Sequence, residues 1–195
     1  EGVLYAAEAD ARIYGSDPEA LLGTAVIGIP EVGTDGQQGI LFGVPGMTQT
    51  IGITTTRSGG VALFTGPLSG EYDSSVDAEV LIPGEDDIDY AGYSVSIGDI
   101  NGDGFADVVT SAPGHTPEGI DDAGKAYVLL GPGFDYPTLA DASWSIVGIG
   151  AGDSLGSVVS AEADLNADGR DDLIIGASGT NDEAGAAYMF AGGRA

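Results

Sequence analysis

The chain has 195 residues, 43% of them hydrophobic, so it is long enough to form a core and too apolar for a disordered acidic segment. Its 31 acidic residues against 5 basic ones give a formal charge of −26, and this sign excludes nucleic acids and anionic membranes as partners. Cysteine is absent, which excludes disulfide bonds and thiolate chemistry.

The composition also indicates a setting and a fold class. The 34 glycines and 9 prolines favour short strands and tight turns over helices. The acidic surplus resembles that of proteins from salt-loving microbes, where ionic strength screens self-repulsion, and a calcium-rich extracellular setting is the alternative. The longest apolar stretch, at 21–30, is too short to span a membrane, so no direct membrane insertion is expected. Because the sequence starts at Glu1 without an initiator Met or signal-like segment, we expect a processed or excised chain.

The first fifteen residues contain two predicted strands. GVLYAA at 2–7 resembles the third strand of a repeated unit described below. ADARIYG at 9–15 aligns with DASWSIVG at 141–148, which is an outer strand of that unit. Residues 1–15 are therefore predicted to complete a unit that lacks its outer strand.

Three segments then repeat one pattern of short apolar runs bounded by Gly, Pro and Asp. Copy one (21–83) has the predicted strands AVIGI, ILFGV, VALFT and AEVLI. Copy two (90–148) has YSVSI, DVVTSA, AYVLL and SWSIV. Copy three (154–195) has SVVSA, DLIIGA and AYMFA, without a fourth strand.

Four-stranded units that repeat in this way are typical of β-propellers. We therefore predict one all-β domain over 1–195, a β-propeller built from three four-stranded blades. Propellers need about four to eight blades to close. Another copy of the chain, or blades of a longer chain, must then complete the ring.

The ends of the first two strands of each copy carry a recognisable signature. The first strand opens on Leu22-Gly23, Ala91-Gly92 or Leu155-Gly156, and the second ends near Gly43-Val44-Pro45, Ser111-Ala112-Pro113 or Gly176-Ala177-Ser178. With the acidic loops between them, these copies resemble FG-GAP repeats, the blades of the integrin α-subunit head and of many microbial surface proteins. The resemblance implies a calcium-binding propeller and a role in adhesion.

Two of those loops, DINGDGFAD at 99–107 and DLNADGRDD at 164–172, share one pattern of oxygen-bearing residues. Oxygen donors stand at positions 1, 3, 5 and 9, position 7 offers its carbonyl, and glycine at position 6 permits a sharp turn. Calcium prefers six to eight such hard oxygen ligands. The predicted ligands are Asp99, Asn101, Asp103, the Phe105 carbonyl and Asp107 in copy two, and Asp164, Asn166, Asp168, the Arg170 carbonyl and Asp172 in copy three.

The loops differ from an EF-hand and from the loop of copy one. An EF-hand closes on a glutamate at position 12, where this chain has Thr110 or Ile175 inside a predicted strand. Copy one has Glu31, Gly33, Asp35 and Gly36, with Gly39 at position 9, so this degenerate loop is expected to bind calcium poorly. We predict two structural calcium sites per chain.

The remaining polar and aromatic residues give weaker signals. His115, the one histidine, is interpreted as a solvated loop residue, and the acidic runs 85–87 and 121–122 as solvated surface, with a weak extra calcium site as the alternative. Gly-Arg-Asp at 169–171 lies inside a calcium loop and is not an adhesion motif. Four aromatic residues are predicted to pack in strands: Tyr93, Tyr127, Trp144 and Tyr188.

Taken together, these patterns predict a non-catalytic extracellular or cell-surface module that binds protein or glycan partners. One alternative is a structural subunit that assembles with itself, as a ring-closing dimer or head to tail. A further alternative is an accessory propeller of a secreted hydrolase or lyase, because such blades accompany those enzymes.

Overall fold

The computed structural model describes residues 6–15, 17–51 and 53–193, and within these ranges the regular secondary structure consists almost entirely of short strands. Short 3₁₀ helices lie at Ala6–Glu8, Pro117–Gly119 and Leu139–Asp141, and a four-residue helical turn at Thr180–Glu183. The strands are β1 (Ala11–Tyr14), β2 (Ala25–Ile29), β3 (Gly39–Gly43), β4 (Gln49–Ile51), β5 (Thr54–Thr56), β6 (Gly60–Thr65), β7 (Gly70–Asp73), β8 (Val80–Pro83), β9 (Val95–Gly98), β10 (Asp107–Ala112), β11 (Lys125–Leu129), β12 (Trp144–Val147), β13 (Leu155–Ala163), β14 (Asp172–Ala177) and β15 (Ala186–Phe190).

The predicted strands of each copy form one antiparallel sheet, and copy one also contains the separate two-stranded sheet β4-β5. Sheet one has the order β2-β3-β6-β8, sheet two β9-β10-β11-β12, and sheet three β13-β14-β15. The all-β class and the strand order within each copy are therefore as the sequence predicts. Sheet three has no fourth strand among the described residues, which agrees with the strand inventory of copy three.

The sheets pack face to face, and this explains why their middle strands are so apolar. Val108 of β10 is buried against sheet one, in a cluster with Leu41 and Leu63, whereas the next residue, Val109, is buried with Ile175 of sheet three. Because successive side chains of a strand point to opposite faces, sheet two is covered on both sides. All six residues of β10 are accordingly buried.

The glycine of the opening pair is required where neighbouring copies meet. Gly92 has φ +84°, and a Cβ built on it would lie 2.0 Å from the Gly60 carbonyl oxygen. Gly156 has φ +94°, and its Cβ would lie 2.7 Å from the Ser111 Cβ. Only glycine combines this left-handed backbone with such a close approach.

The N-terminal segment differs from its prediction. The part of GVLYAA that the structure describes starts a 3₁₀ helix at Ala6 instead of continuing a strand, and residues 2–5 lie outside the described ranges. The predicted outer strand does form as β1, but it pairs in parallel with β7 of the same chain. Ile13 of β1 and Tyr72 of β7 pack on the face of sheet one that points away from sheet two, and Tyr72 meets Phe64 edge to face at 6.0 Å. The strand thus covers sheet one, and its pairing with another copy of the chain stays a prediction.

No helix in the described part of the chain is long and apolar enough to span a membrane.

Candidate metal centre

Both acidic loops connect the first strand of a sheet to the second, and their first carboxylate closes the loop on itself. Asp99 Oδ1 accepts hydrogen bonds from the amides of Gly102 and Asp103 at 2.8 and 2.9 Å, and its Oδ2 accepts from Gly104 at 2.9 Å. Asp164 accepts from Asp168 at 3.0 Å and from Gly169 at 2.8 Å. The bond from the Gly169 amide is the main cause that lowers the pKa of the Asp164 carboxyl group. That carboxylate therefore stays charged at neutral pH.

The side chains at positions 3 and 5 repeat the same contacts in both loops. Asn101 accepts a hydrogen bond from the Asp103 amide at 2.9 Å and donates its Nδ2 to Asp103 Oδ2 at 2.8 Å. Asn166 and Asp168 make the equivalent bonds at 2.9 and 3.0 Å. Two stretches of different sequence thus form one loop conformation, as their shared pattern predicts.

Position 9 has a role that the sequence analysis did not identify. Asp107 is fully buried, and its Oδ2 accepts from the amides of Ile100 and Asn101 at 2.9 and 3.2 Å, while its Oδ1 accepts from Gly131 at 2.9 Å. Burial raises the pKa of the Asp107 carboxyl group, and the hydrogen bond from Gly131 is the strongest influence that lowers it. This carboxylate fastens the start of the loop to the end of the third strand.

Asp172 makes the same connection in copy three. Its Oδ2 accepts from Leu165 and Asn166 at 2.9 and 3.2 Å, and its Oδ1 accepts from Gly192 at 3.0 Å. An aspartate at position 9 suggests a metal ligand from its spacing alone. The anchoring role becomes visible only once the loop and the third strand are seen to be neighbours.

The loop of copy one has glycine where copies two and three have this carboxylate anchor. Gly39 stands at position 9, and a Cβ built there would lie 2.6 Å from Val32 Cγ2, so no larger residue fits. Gly66, which corresponds to Gly131, donates its amide to the Gln38 carbonyl at 2.9 Å. The main chain thus makes the connection that a carboxylate makes in copies two and three. Weak calcium binding by this loop remains a prediction.

Asp171, the acidic residue of the Gly-Arg-Asp triplet, links the two loops to each other. Its Oδ2 accepts a hydrogen bond from the Asp99 amide at 2.8 Å, and its own amide donates to the Asp99 carbonyl at 3.0 Å. The adjacent Arg170 side chain lies against Gly102. The triplet therefore serves contact between copies, and the two candidate sites lie side by side.

The predicted ligands fit calcium by their chemistry and their order, but their carboxylates do not converge in this conformation. The loop carboxylates at positions 1 and 5 accept hydrogen bonds from amides of their own loop. Among the described residues, the group of three Asp, Glu or His side chains whose ligand atoms lie within 4.8 Å of one another is Glu85, Asp86 and His115, outside both loops. A carboxylate has about four lone-pair sites, so these side chains can accept amide hydrogen bonds and still bind an ion.

His115 is buried, so its interpretation as a solvated loop residue was wrong. It is 6% exposed, and its Nδ1 lies 2.7 Å from Asp89 Oδ2, 26 positions earlier in the chain. Of the predicted core aromatics, Tyr127 is fully buried in β11, and Trp144 and Tyr188 pack on the cluster between sheets two and three. Tyr93 is 45% exposed and precedes β9, so that prediction was wrong.

Repeated sheets with paired acidic loops define an all-β repeat protein. The chain matches the family model described as FG-GAP repeat over residues 91–129 and 155–190, which hold the first three strands and the acidic loop of copies two and three. The match places an FG-GAP repeat in each of these two copies.

Relatives of two kinds share this region. The chain is 36% identical over 107 residues to integrin alpha-PS5 of Drosophila melanogaster, covering 53% of this chain and 10% of that protein. It is 29% identical over 171 residues to integrin alpha-5 of Xenopus laevis, covering 85% of this chain and 15% of that protein. It is 31% identical over 112 residues to the phosphatidylinositol-glycan-specific phospholipase D of Bos taurus, covering 53% of this chain and 13% of that protein. The chain thus spans about a seventh or less of these relatives.

Proposed function

We propose that this chain is a non-catalytic, calcium-stabilised β-propeller module that acts in adhesion outside the cell or at its surface, by binding a protein or glycan partner. The observation that carries the proposal is the pair of acidic loops that share most of their internal hydrogen bonds and are held side by side by Asp171. Two loops with the same order of oxygen donors in the same conformation indicate that each binds the same kind of ion. The integrin relatives support the adhesion role.

The role of the chain's own residues in such a site is to preorganise it. Asp107 and Asp172 fix each loop to its sheet, and Asp99 and Asp164 gather the turn amides around one carboxylate. The loop carboxylates lie close in sequence and repel one another. Bound calcium would supply the positive charge that offsets this repulsion and stiffens the edge where the two copies meet.

The enzymatic alternative has less support. A phospholipase D relative shares the repeats, but it matches this chain over only 13% of its own length. Its resemblance therefore fits an accessory module as well as a catalytic one. The self-assembly alternative has a specific observation in its favour, the unpaired outer edge of sheet three among the described residues.

Calorimetric titration of the metal-free protein with calcium should give two sites per chain. Asp103→Ala and Asp168→Ala are each expected to remove one site, because each deletes the exposed carboxylate at position 5. Affinities of roughly 10⁻⁴ to 10⁻³ M suffice for an extracellular module.

Asp35→Ala is the matched control, since it deletes the corresponding carboxylate of copy one's loop. The stoichiometry should stay at two in this variant. Absence of calcium binding, or a melting temperature that a chelator leaves unchanged, would refute the calcium proposal. A third site lost with Asp35→Ala would instead contradict the degeneracy of copy one.

The interpretation that the chain comes from a salt-loving microbe predicts how its stability depends on salt. With calcium held at saturation, the melting temperature should rise as sodium chloride increases from about 0.1 M to above 1 M, because salt screens the repulsion of the −26 surface. Urea unfolding at each salt concentration provides a second measurement. Maximal stability in dilute buffer would point to an ordinary extracellular setting.

A further inference from the structure

A second group of polar side chains lies away from the acidic loops, between sheets one and two. Glu85 and Asp86 follow β8, and His115 follows β10, yet one ligand atom from each lies within 4.8 Å of the others. Lys125 of β11 lies beside them, with its Nζ 2.5 Å from Glu85 Oε1. The segment that joins copies one and two thus forms one cluster with residues of copy two.

Asp89 fixes the orientation of the imidazole in this cluster. Its Oδ2 lies 2.7 Å from His115 Nδ1, and the two side chains are only 4% and 8% exposed. With Nδ1 paired to a carboxylate, Nε2 is the ring nitrogen that remains free to bind a cation. A carboxylate behind a histidine is the usual arrangement around metal-binding imidazoles.

A poorly satisfied hydroxyl group points to a further ligand in the cluster. Tyr127 is fully buried, and its hydroxyl group lies beside the Glu85 carboxylate without a well-formed hydrogen bond to it. Burial raises the pKa of this phenol, and the neighbouring carboxylates of Glu85 and Asp89 raise it further, so the group remains an O–H donor close to the cluster. Its ring also carries the Lys125 ammonium at 4.9 Å. A buried donor whose hydrogen bond is incomplete calls for an explanation.

We propose that Glu85, Asp86 and His115 form a binding site for a zinc-class divalent transition metal, distinct from the two calcium loops. One imidazole nitrogen and two carboxylate oxygens are ligands that zinc accepts in a site with an open fourth position. Calcium fits less well, because it selects oxygen ligands. A water or ligand oxygen at the open position would offer the Tyr127 hydroxyl a better-placed acceptor than Glu85 does.

Charge in the cluster also favours a cation. Glu85, Asp86 and Asp89 carry three negative charges against the one positive charge of Lys125. Lys125 competes with a metal for the Glu85 carboxylate. Its removal should therefore strengthen metal binding, whereas loss of the imidazole should abolish it.

The test uses the full chain in buffer with millimolar calcium, so that the acidic loops are saturated, and titrates zinc chloride or cobalt chloride. His115 is the one histidine, so its ring protons give a single set of NMR signals. Zinc should shift these signals to an endpoint at one equivalent, and cobalt should broaden or displace them. Unchanged histidine signals up to millimolar metal would overturn the proposal without any variant.

Variants then assign the ligands by calorimetry. His115→Asn should weaken zinc binding by about 100-fold or more, and Asp89→Asn by about 10–100-fold. Lys125→Met should tighten it about tenfold, because a competing charge is removed. Asp121→Asn, which removes an exposed carboxylate from the neighbouring loop, is the control and should change nothing. Zinc binding that survives His115→Asn would contradict the assignment.

Discussion

Replacing Asp107 with alanine is expected to lower the free energy of unfolding by about 3 kcal/mol in calcium-free buffer. The change leaves the amides of Ile100, Asn101 and Gly131 without their acceptor. Each unsatisfied buried donor costs about 1–3 kcal/mol, and water can reach part of this half-exposed loop. Asp172→Ala should act similarly, because Asp172 accepts from three equivalent amides.

Comparison with Asp103→Ala distinguishes a carboxylate that anchors the loop from one that only binds calcium. Asp103 is exposed, so this variant should change stability by less than about 0.5 kcal/mol without calcium. With calcium, both variants should lose the stabilisation that one site provides. The measurement is urea unfolding with and without a chelator, and a loss of 3 kcal/mol corresponds to roughly 6–12 °C in melting temperature for a chain of this length. An Asp107→Ala protein that is as stable as Asp103→Ala in chelator would show that Asp107 is not an anchor.

Features that depend on residues close together in the chain could be predicted from the sequence. The strands of the three copies are local features, since β-branched runs between glycines form strands wherever a neighbour is available. The loop conformation is local as well, because its hydrogen bonds join residues two to five positions apart. These features were predicted closely.

Features that depend on distant contacts were missed. The parallel pair β1–β7 joins segments 59 residues apart, and Gly-Glu-Tyr-Asp of β7 has no clear strand pattern by itself. His115 is buried beside Asp89 of the segment that joins copies one and two, which a single histidine in a Gly- and Pro-rich loop does not reveal. The anchoring role of Asp107 likewise depends on Gly131, 24 positions later. Each miss concerns a contact that only the packing of sheets creates.

We expect the protein to assemble with itself, and its mass in solution should show this. We expect light scattering in millimolar calcium, at micromolar protein, to give at least twice the mass of one chain. Sheets one and two end on β8 and β12, whereas the outer strand of sheet three in the described part of the chain is β15. Its free main-chain groups can pair with a strand from another copy.

The proposed partner for β15 is β1 of a second chain, whose sequence resembles the outer strand β12. In the single chain β1 pairs with β7, so assembly requires β1 to exchange that parallel pairing for one with sheet three. Reciprocal exchange would close a six-bladed ring with twofold symmetry, and successive exchange would produce an open head-to-tail assembly. Deleting residues 1–15 should return the mass to that of one chain in either case. Thermal unfolding of the truncated protein checks that it remains folded.

The absence of native cysteine allows the two pairings of β1 to be distinguished directly. Arg12 lies opposite Glu71 in the β1–β7 register, so Arg12→Cys with Glu71→Cys should form a disulfide within one chain when β1 stays in place. Arg12→Cys with Ala187→Cys, on β15, should instead join two chains when β1 is exchanged. Efficient cross-linking between chains supports exchange. An excess of the cysteine-free protein should suppress this cross-linking, because it competes for the same pairing. A compact monomer with calcium present, or an assembly that survives deletion of residues 1–15, would refute it, because either result leaves β1 serving only as the cover of sheet one.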